Sequence, residues 1–237
     1  MLELINMTKC YPSPTGDADV CVLRDITLRV TPSQALVIVG PSGSGKSTLL
    51  NIIGALDRPT SGQVLFDGHD LAELPESQLA KIRNQQIGFV FQLHHLLPQC
   101  TVLENVLVPT LVSKGAASRK EIQQRAVDLL KRVNLGDHLH HRPGELSVGQ
   151  RQRVAVVRAL INKPKLLLAD EPTGSLDETT AESIADLLVE INRTEKVALM
   201  VVTHSTRLAE RIGQVLELTG GTLREKSRAV RSEVPKA

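Results

Sequence analysis

The stretch that most constrains this chain is Gly40-Pro41-Ser42-Gly43-Ser44-Gly45-Lys46-Ser47-Thr48, set between the apolar runs Ala35 to Val39 and Leu49 to Ile53. A buried strand that ends in a Gly-rich loop and opens directly into a helix fits few architectures. The pattern G-x-x-x-x-G-K-[ST] is met by Gly40, Gly45, Lys46 and Ser47, and each residue type has a physical reason to stand there. Gly40, Gly43 and Gly45 accept positive φ and carry no Cβ, so successive backbone N–H groups can turn inward around an anion. The helix that follows presents its own N–H groups and positive dipole end to a β-phosphate. Lys46 adds a point charge across the β- and γ-phosphates, and the Ser47 hydroxyl is placed to ligate Mg²⁺. The alternative is a Gly/Ser-rich turn before a helix, and the flanking strand and helix patterns argue against it. The stretch predicts a bound nucleoside triphosphate.

A chain of 237 residues is long enough for a substantial core in one domain, or one domain with an inserted subdomain. With no Trp, one Tyr and three Phe, aliphatic packing must supply that core, and the single Tyr11 becomes worth a question. A net charge of +2 gives no case for a nucleic-acid partner, which calls for a concentrated basic face. Cys10, Cys21 and Cys100 are odd in number and scattered. They argue against a disulfide framework and a structural zinc site, and for reducing cytosol. Met1-Leu-Glu-Leu-Ile-Asn carries no basic n-region before an apolar h-region, and no apolar run approaches the ~18 residues of a membrane span. The expectation is a chain that neither crosses a membrane nor leaves through a signal peptide.

Along the chain, residues 2–7 and 20–30 alternate apolar and polar positions and predict half-buried strands of an antiparallel sheet, with a loop at Tyr11-Pro-Ser-Pro-Thr-Gly. After the cradle, a helix from Lys46 to Leu56 ends in the breaker cluster Asp57 to Gly62. A strand over Gln63 to Asp67, a helix over Leu71 to Asn84 and a buried strand over Ile87 to Phe91 follow, the last ending at Gln92. From Leu93 to Lys163 the patterns are helical, over Val102 to Leu111, Arg119 to Val133 and Val148 to Ile161, with Pro98, Gly115 and Gly136 between them. Strand patterns return at Lys165 to Asp170 and Val197 to Thr203 around an amphipathic helix, Thr179 to Arg193. This βαβ rhythm implies a mostly parallel sheet with ligands at the carboxyl ends of its strands. Residues 214–224 read as a closing hairpin around Gly220-Gly221. The tail beyond carries five basic residues from Arg224 onward and reads as solvated and flexible, with a membrane surface as the alternative partner.

Asp170 and Glu171 follow the strand pattern Leu166 to Ala169. A carboxylate at a buried strand's end is placed to hold Mg²⁺ directly or through water, and its neighbour can polarise an attacking water. An ordinary acidic turn before Pro172 is the alternative. Upstream, Leu146-Ser147-Val148-Gly149-Gln150 begins a helix 23 residues before Asp170, counted from Ser147. By itself Ser147-x-Gly149 also fits a plain N-cap. Its place between the two nucleotide motifs makes the chain resemble the ATPases of the ABC-transporter family, whose signature LSGGQ precedes a basic and then apolar helix; here the residues are LSVGQRQRVAVVRAL. Further family elements stand in order: Tyr11 where an adenine-stacking aromatic is expected, Gln92 after a strand, Ser175-Leu-Asp177, and His204 after the strand ending at Thr203. The resemblance covers about residues 2–220.

The resemblance implies an α/β fold: a P-loop NTPase, RecA-like core with a mostly parallel sheet, an N-terminal antiparallel β subdomain and an inserted α-helical subdomain. It implies one ATPase domain over residues 1–225, with the core at 1–92 and 164–225, the helical insertion at 93–163 and a basic tail at 226–237. It also implies two copies head to tail, with ATP and Mg²⁺ between the cradle of one and Ser147, Gly149 and Gln150 of the other. Glu171 is then the general base, His204 contacts the γ-phosphate, Gln92 touches Mg²⁺ and water, and Asp177 communicates between protomers. Metal ligands are Ser47, Gln92 and Asp170. Plainer readings remain for three of these: a loop amide for Gln92, a strand-end cap for His204, a packed surface ring for Tyr11. Two departures from the family pattern stand out, Val148 for the first signature glycine and Gln34-Ala35 for the usual Gly-Glu.

Within the family, Gln92 to Pro98, Thr101 to Val106, Pro109 and Leu56 to Gly62 resemble the group that serves macrolide export, lipoprotein release and cell division. That implies integral membrane permease subunits as partners, docked on residues 93–112, and a cytoplasmic chain peripheral to the inner face of the cell membrane. The competing function is a soluble family ATPase acting on DNA or ribosomes. Against it, the chain has one cassette, no heptads and no zinc spacing.

Overall fold

The computed structural model describes residues 1–13, 18–112 and 118–225. The expected tail at 226–237, the separator Gly115 and part of the loop after Tyr11 lie outside these residues. The first half of the chain runs β1 (Leu2–Tyr11), β2 (Val20–Val30), β3 (Ala35–Val39), α1 (Lys46–Ile53), β4 (Ser61–Phe66), β5 (His69–Asp70), α2 (Glu76–Gln85) and β6 (Ile87–Val90). Next come α3 (Val102–Leu107), α4 (Arg119–Arg132) and α5 (Val148–Leu160). The chain closes with β7 (Leu166–Asp170), α6 (Glu178–Glu195), β8 (Ala198–Thr203), α7 (Thr206–Ile212), β9 (Gln214–Thr219) and β10 (Thr222–Glu225).

Two sheets form. The first is antiparallel, in the order β2-β1-β4-β5, and its inward residues Leu2, Leu4, Met7, Leu23, Ile26 and Val64 are buried. The second has the order β10-β9-β3-β8-β7-β6 and is parallel except for the β9–β10 hairpin. That hairpin turns on Gly220 and Gly221, both at positive φ, as a two-residue turn between right-twisted strands requires. The central strands read as unbroken apolar runs because both sheet faces are covered. Leu36, Ile38, Leu168 and Met200 face one core cluster, shared with α1 and the first sheet. Val37, Val39, Leu167 and Val201 face the other, shared with the helices from α3 onward. The helices between β6 and β7 therefore pack as an extension of the main core: Val106, Leu130 and Val157 belong to the same cluster as Val37.

Several boundaries differ from the sequence reading for local reasons. The helix expected from Leu71 begins at Glu76, because Pro75 occupies the N-cap and cannot sit within a helix interior. α1 stops at Ile53, because Gly54 leaves helical dihedrals as the C-cap and Ala55 follows at φ 55°. Pro109 converts the end of the predicted 102–111 helix into a 3-10 turn. α7 was not anticipated: it follows β8 at once, and Ser205 caps it by accepting from the Leu208 N–H. α3 and α4 both open on reciprocal capping boxes, Thr101 with Glu104 and Ser118 with Glu121.

The reading of the cysteines is corrected. β1 extends through Tyr11, and its antiparallel register sets Cys10 opposite Cys21, with Cα atoms 3.9 Å apart and the sulfurs joined in a disulfide. Counting and spacing miss such a pair because strand register brings it together. Cys100 is the free thiol, and cysteine usage no longer argues for one compartment. Unfolding the purified protein without reductant should therefore expose one thiol to a thiol-specific chromophore, and three after reduction. Cys21→Ser should lower stability by about 2–3 kcal/mol in equilibrium denaturation.

Candidate nucleotide site

The cradle is the loop from β3 to α1. β3 is held between β8 and β9, so its carboxyl end is fixed on both sides. Gly40 passes so close to β9 that a Cβ there would lie 2.4 Å from the Leu218 carbonyl oxygen. Gly43 and Gly45 have φ of 78° and 99°, values that L side chains rarely adopt. Gly45 is the N-cap of α1 and has no side chain to cap the first-turn N–H groups, which leaves them for an anion. The Lys46 side chain folds back over the loop, with Nζ donating to the carbonyls of Gly40 at 2.9 Å and Pro41 at 3.0 Å. Lys46 is only 8% exposed.

Beside the cradle, β7 ends at Asp170, in register with Val202 of β8. Burial raises the Asp170 pKa, a hydrogen bond from Ser47 opposes that, and the neighbouring Glu171 charge adds to it. The next residue, Glu171, is at φ 43° and its N–H donates to the Val202 carbonyl. Its Oε1 lies 3.0 Å from His204 Nδ1, while Oε2 is buried with no hydrogen-bond partner. His204 follows β8, so two adjacent parallel strands deliver the pair. Gln92 comes in from the end of β6 and lies against the turn after Glu171, where a Cβ on Gly174 would be 2.9 Å from its Nε2. The structure thus gathers Lys46, Ser47, Asp170, Glu171, His204 and Gln92 at the carboxyl ends of β3, β7, β8 and β6.

Ser147, Gly149, Gln150 and Asp177 form a second group. Ser147 caps α5: its Oγ accepts from the Gln150 N–H, and its own N–H donates to Gln150 Oε1 at 2.8 Å. The plain N-cap reading is thus structurally real. Gln150 Nε2 lies 3.2 Å from His138 Nε2. A Cβ on Gly149 would be 2.5 Å from Thr180 Cγ2, and Thr180 is in turn held by Asp177, which caps α6. Tyr11 ends β1, 39% exposed, with its hydroxyl donating to Asp57 Oδ2 at 2.9 Å. Burial and that hydrogen bond push its pKa up, and Thr48 of the cradle bonds to it in the opposite sense.

Residues 23–174 match the family described as ABC transporter. The chain belongs to that family. It is 42% identical to the bacterial ABC transporter cassette MJ0796 in its dimeric structure, over 97% of this chain and 100% of that one, with a TM-score of 0.86. A second MJ0796 structure, a dimeric post-hydrolysis state bound to ADP and Pi, matches at 41% identity and a TM-score of 0.85, with the same coverage. In this ABC cassette Val148 is the first helical residue of α5 and is partly buried.

Sequence reading passed over three residues that touch the site residues. Lys9 and Asp57 hold Tyr11, and their signal was only a lysine two residues before an aromatic and an acid inside a breaker cluster. His138 holds Gln150, and no pattern in the sequence singles it out. Because the Leu218 carbonyl is backbone and cannot step aside, Gly40→Ala should cost about 1–3 kcal/mol and abolish nucleotide binding. Thermal denaturation with and without ATP checks both, and a variant that still gains stability from ATP contradicts the packing given for Gly40.

Proposed function

We propose that this cassette is the ATP-hydrolysing subunit that drives a membrane transporter or mechanotransmission complex, working as a head-to-tail dimer. The observation that carries the reading is the division of its functional residues. One group surrounds the cradle, and the other stands at the start of α5 with side chains bonded among themselves and to His138. The dimeric MJ0796 cassette supports a second copy as the partner that brings the two groups together.

The physical roles follow from the chemistry of each group. Ser42, Gly43, Ser44 and Gly45 supply backbone N–H groups to the phosphates, Gly40 and Pro41 shape the loop and give their carbonyls to Lys46, Thr48 continues the helix start, and Lys46 neutralises charge on the β- and γ-oxygens. Glu171 acts as general base, since its buried Oε2 is a carboxylate oxygen with no competing donor. His204, bonded to the other oxygen, contacts the γ-phosphate. Ser147 and Gly149 of the opposing copy offer a hydroxyl and an N–H to the γ-phosphate at a second helix N-terminus. Asp177, one residue pair away through Thr180, reports between copies.

The donor set fits Mg²⁺: a hydroxyl, Ser47, bonded to a carboxylate, Asp170, whose charge is disfavoured by burial and by Glu171, with the Gln92 amide alongside. Mg²⁺ held by these residues would supply neutralisation of the negative charge on the phosphates.

Residues 93–112 are the proposed docking surface for permease subunits, which makes the cassette peripheral on the inner face of the cell membrane. Leu93, Leu111 and Val112 are 67, 78 and 78% exposed, a concentration of apolar surface suited to a partner. No helix among the described residues is long and apolar enough to cross a membrane. Arg158 of α5 donates to the His94 and His95 carbonyls, so the helix that begins with the signature also holds the proposed docking segment. The grouping with export, lipoprotein-release and cell-division cassettes fits this mechanical role. The permease chooses the cargo.

Glu171→Gln should bind ATP normally, hydrolyse it at least about a hundredfold more slowly, and run as an ATP-dependent dimer on size exclusion. Normal turnover by this variant rejects Glu171 as the base. Lys46→Ala should weaken ATP binding by at least about tenfold in equilibrium titration, whereas unchanged affinity counts against the cradle.

A further inference from the structure

Lys9, Asp57 and Tyr11 form a closed arrangement beside the cradle. Lys9 and Tyr11 are two residues apart in β1, hence on one face of the strand. Lys9 is 9% exposed, and its Nζ donates to Asp57 Oδ1 at 2.7 Å and to the Arg58 carbonyl at 2.8 Å. The same Nζ lies 4.8 Å from the centroid of the Tyr11 ring. Asp57 uses its second oxygen, Oδ2, to accept from the Tyr11 hydroxyl at 2.9 Å. It is fixed from its own side by the Arg58 N–H on Oδ1 and by its N–H on the Asn51 carbonyl of α1. Between Lys9 and Tyr11, Cys10 is tied covalently to β2.

Each contact removes one freedom of the Tyr11 ring. The strand pairing and disulfide fix its Cα, Asp57 fixes its hydroxyl end, and the nearly buried Lys9 ammonium covers one face. What stays accessible is the remaining ring surface, next to Thr48. A flat aromatic held in place before its ligand arrives binds more tightly than a free one, because ordering a mobile side chain on binding opposes affinity. A cation on the far face also draws electron density from the ring, which suits stacking against an electron-rich purine.

We infer that Asp57 is a positioning residue for nucleotide binding: with Lys9 it locks the Tyr11 ring as a preformed platform for the base, and so acts on the base and not on the phosphates. This rests on the reading of Tyr11 as the adenine-stacking residue. Asp57 makes no claim on the phosphate cradle, since its side-chain partners are Lys9, Tyr11 and Arg58. Burial raises the Asp57 pKa, but the hydrogen bonds from Lys9 and Tyr11 outweigh that and leave it lowered, so the carboxylate that holds the ring is charged at neutral pH.

The test compares binding of MgATP with binding of inorganic tripolyphosphate, which has the phosphates and no base. Titrations use the wild type, Tyr11→Ala, Tyr11→Phe, Asp57→Asn and the Asp57→Asn/Tyr11→Ala double variant, each checked for an unchanged unfolding temperature. Tyr11→Ala should weaken ATP binding and leave tripolyphosphate unchanged; equal ATP affinity there overturns the platform reading itself. Given that loss, Asp57→Asn and Tyr11→Phe should each weaken ATP binding by about three- to tenfold with tripolyphosphate unchanged. Asp57→Asn should add nothing in the Tyr11→Ala background. An Asp57→Asn protein that binds ATP like the wild type overturns the positioning role while the platform stands. Equal weakening of ATP and tripolyphosphate overturns it too, because Asp57 then acts on the cradle through the fold.

Discussion

A lysine only 8% exposed, its ammonium bound to two carbonyls of its own loop, is the interaction on which this site depends. Burying a charge is costly, and the loop carbonyls and the attraction of Asp170 meet only part of that cost. The Lys46 ammonium therefore favours an anion in the cradle, and the nearby Asp170 carboxylate, itself disfavoured by burial, favours a cation. A nucleoside triphosphate with its metal answers both demands at once. The fold supplies the geometry: β3 is clamped between β8 and β9, and Gly40 is pressed against the Leu218 carbonyl, so the start of the loop is fixed in place.

The parallel sheet then explains where the remaining chemistry gathers. Asp170, Glu171 and His204 come from the ends of β7 and β8, neighbours in the sheet, and Gln92 arrives from the end of β6 at its edge. Glu171 sits at φ 43° with one oxygen on His204 and the other buried without a partner. Such a position is costly to hold for a non-glycine residue, and the hydrogen bond from its N–H to the Val202 carbonyl helps to hold it.

How much of this was legible in the sequence differs by the range of the interaction. The cradle, the strand-end carboxylates and the β9–β10 turn are local patterns in which spacing alone carries the chemistry, and they stand where the sequence placed them. The apolar runs of β3, β7 and β8 announced a sheet covered on both faces. Capping was legible at Ser147, where the same residues that mark the family signature form a reciprocal cap. What was hidden depends on register and on contacts between distant segments. The Cys10–Cys21 pair is made by antiparallel alignment, and the Tyr11 platform by an acid 46 residues away in sequence. α7 was hidden because a seven-residue helix directly after a strand gives too few turns for a periodicity. Pro75 moved a helix start that apolar spacing had put at Leu71.

The central claim is that each cradle is completed by the signature of a second copy, and mixing two inactive chains tests it most directly. Lys46→Ala disables the cradle, and Ser147→Arg blocks the signature with a bulky charge. Each should be inactive alone, yet their mixed dimer would contain one site with both halves intact. Equal amounts should recover about a quarter of wild-type ATPase activity, as half the dimers are mixed and each carries one of two sites. A mixture that stays as inactive as its parts contradicts the shared site.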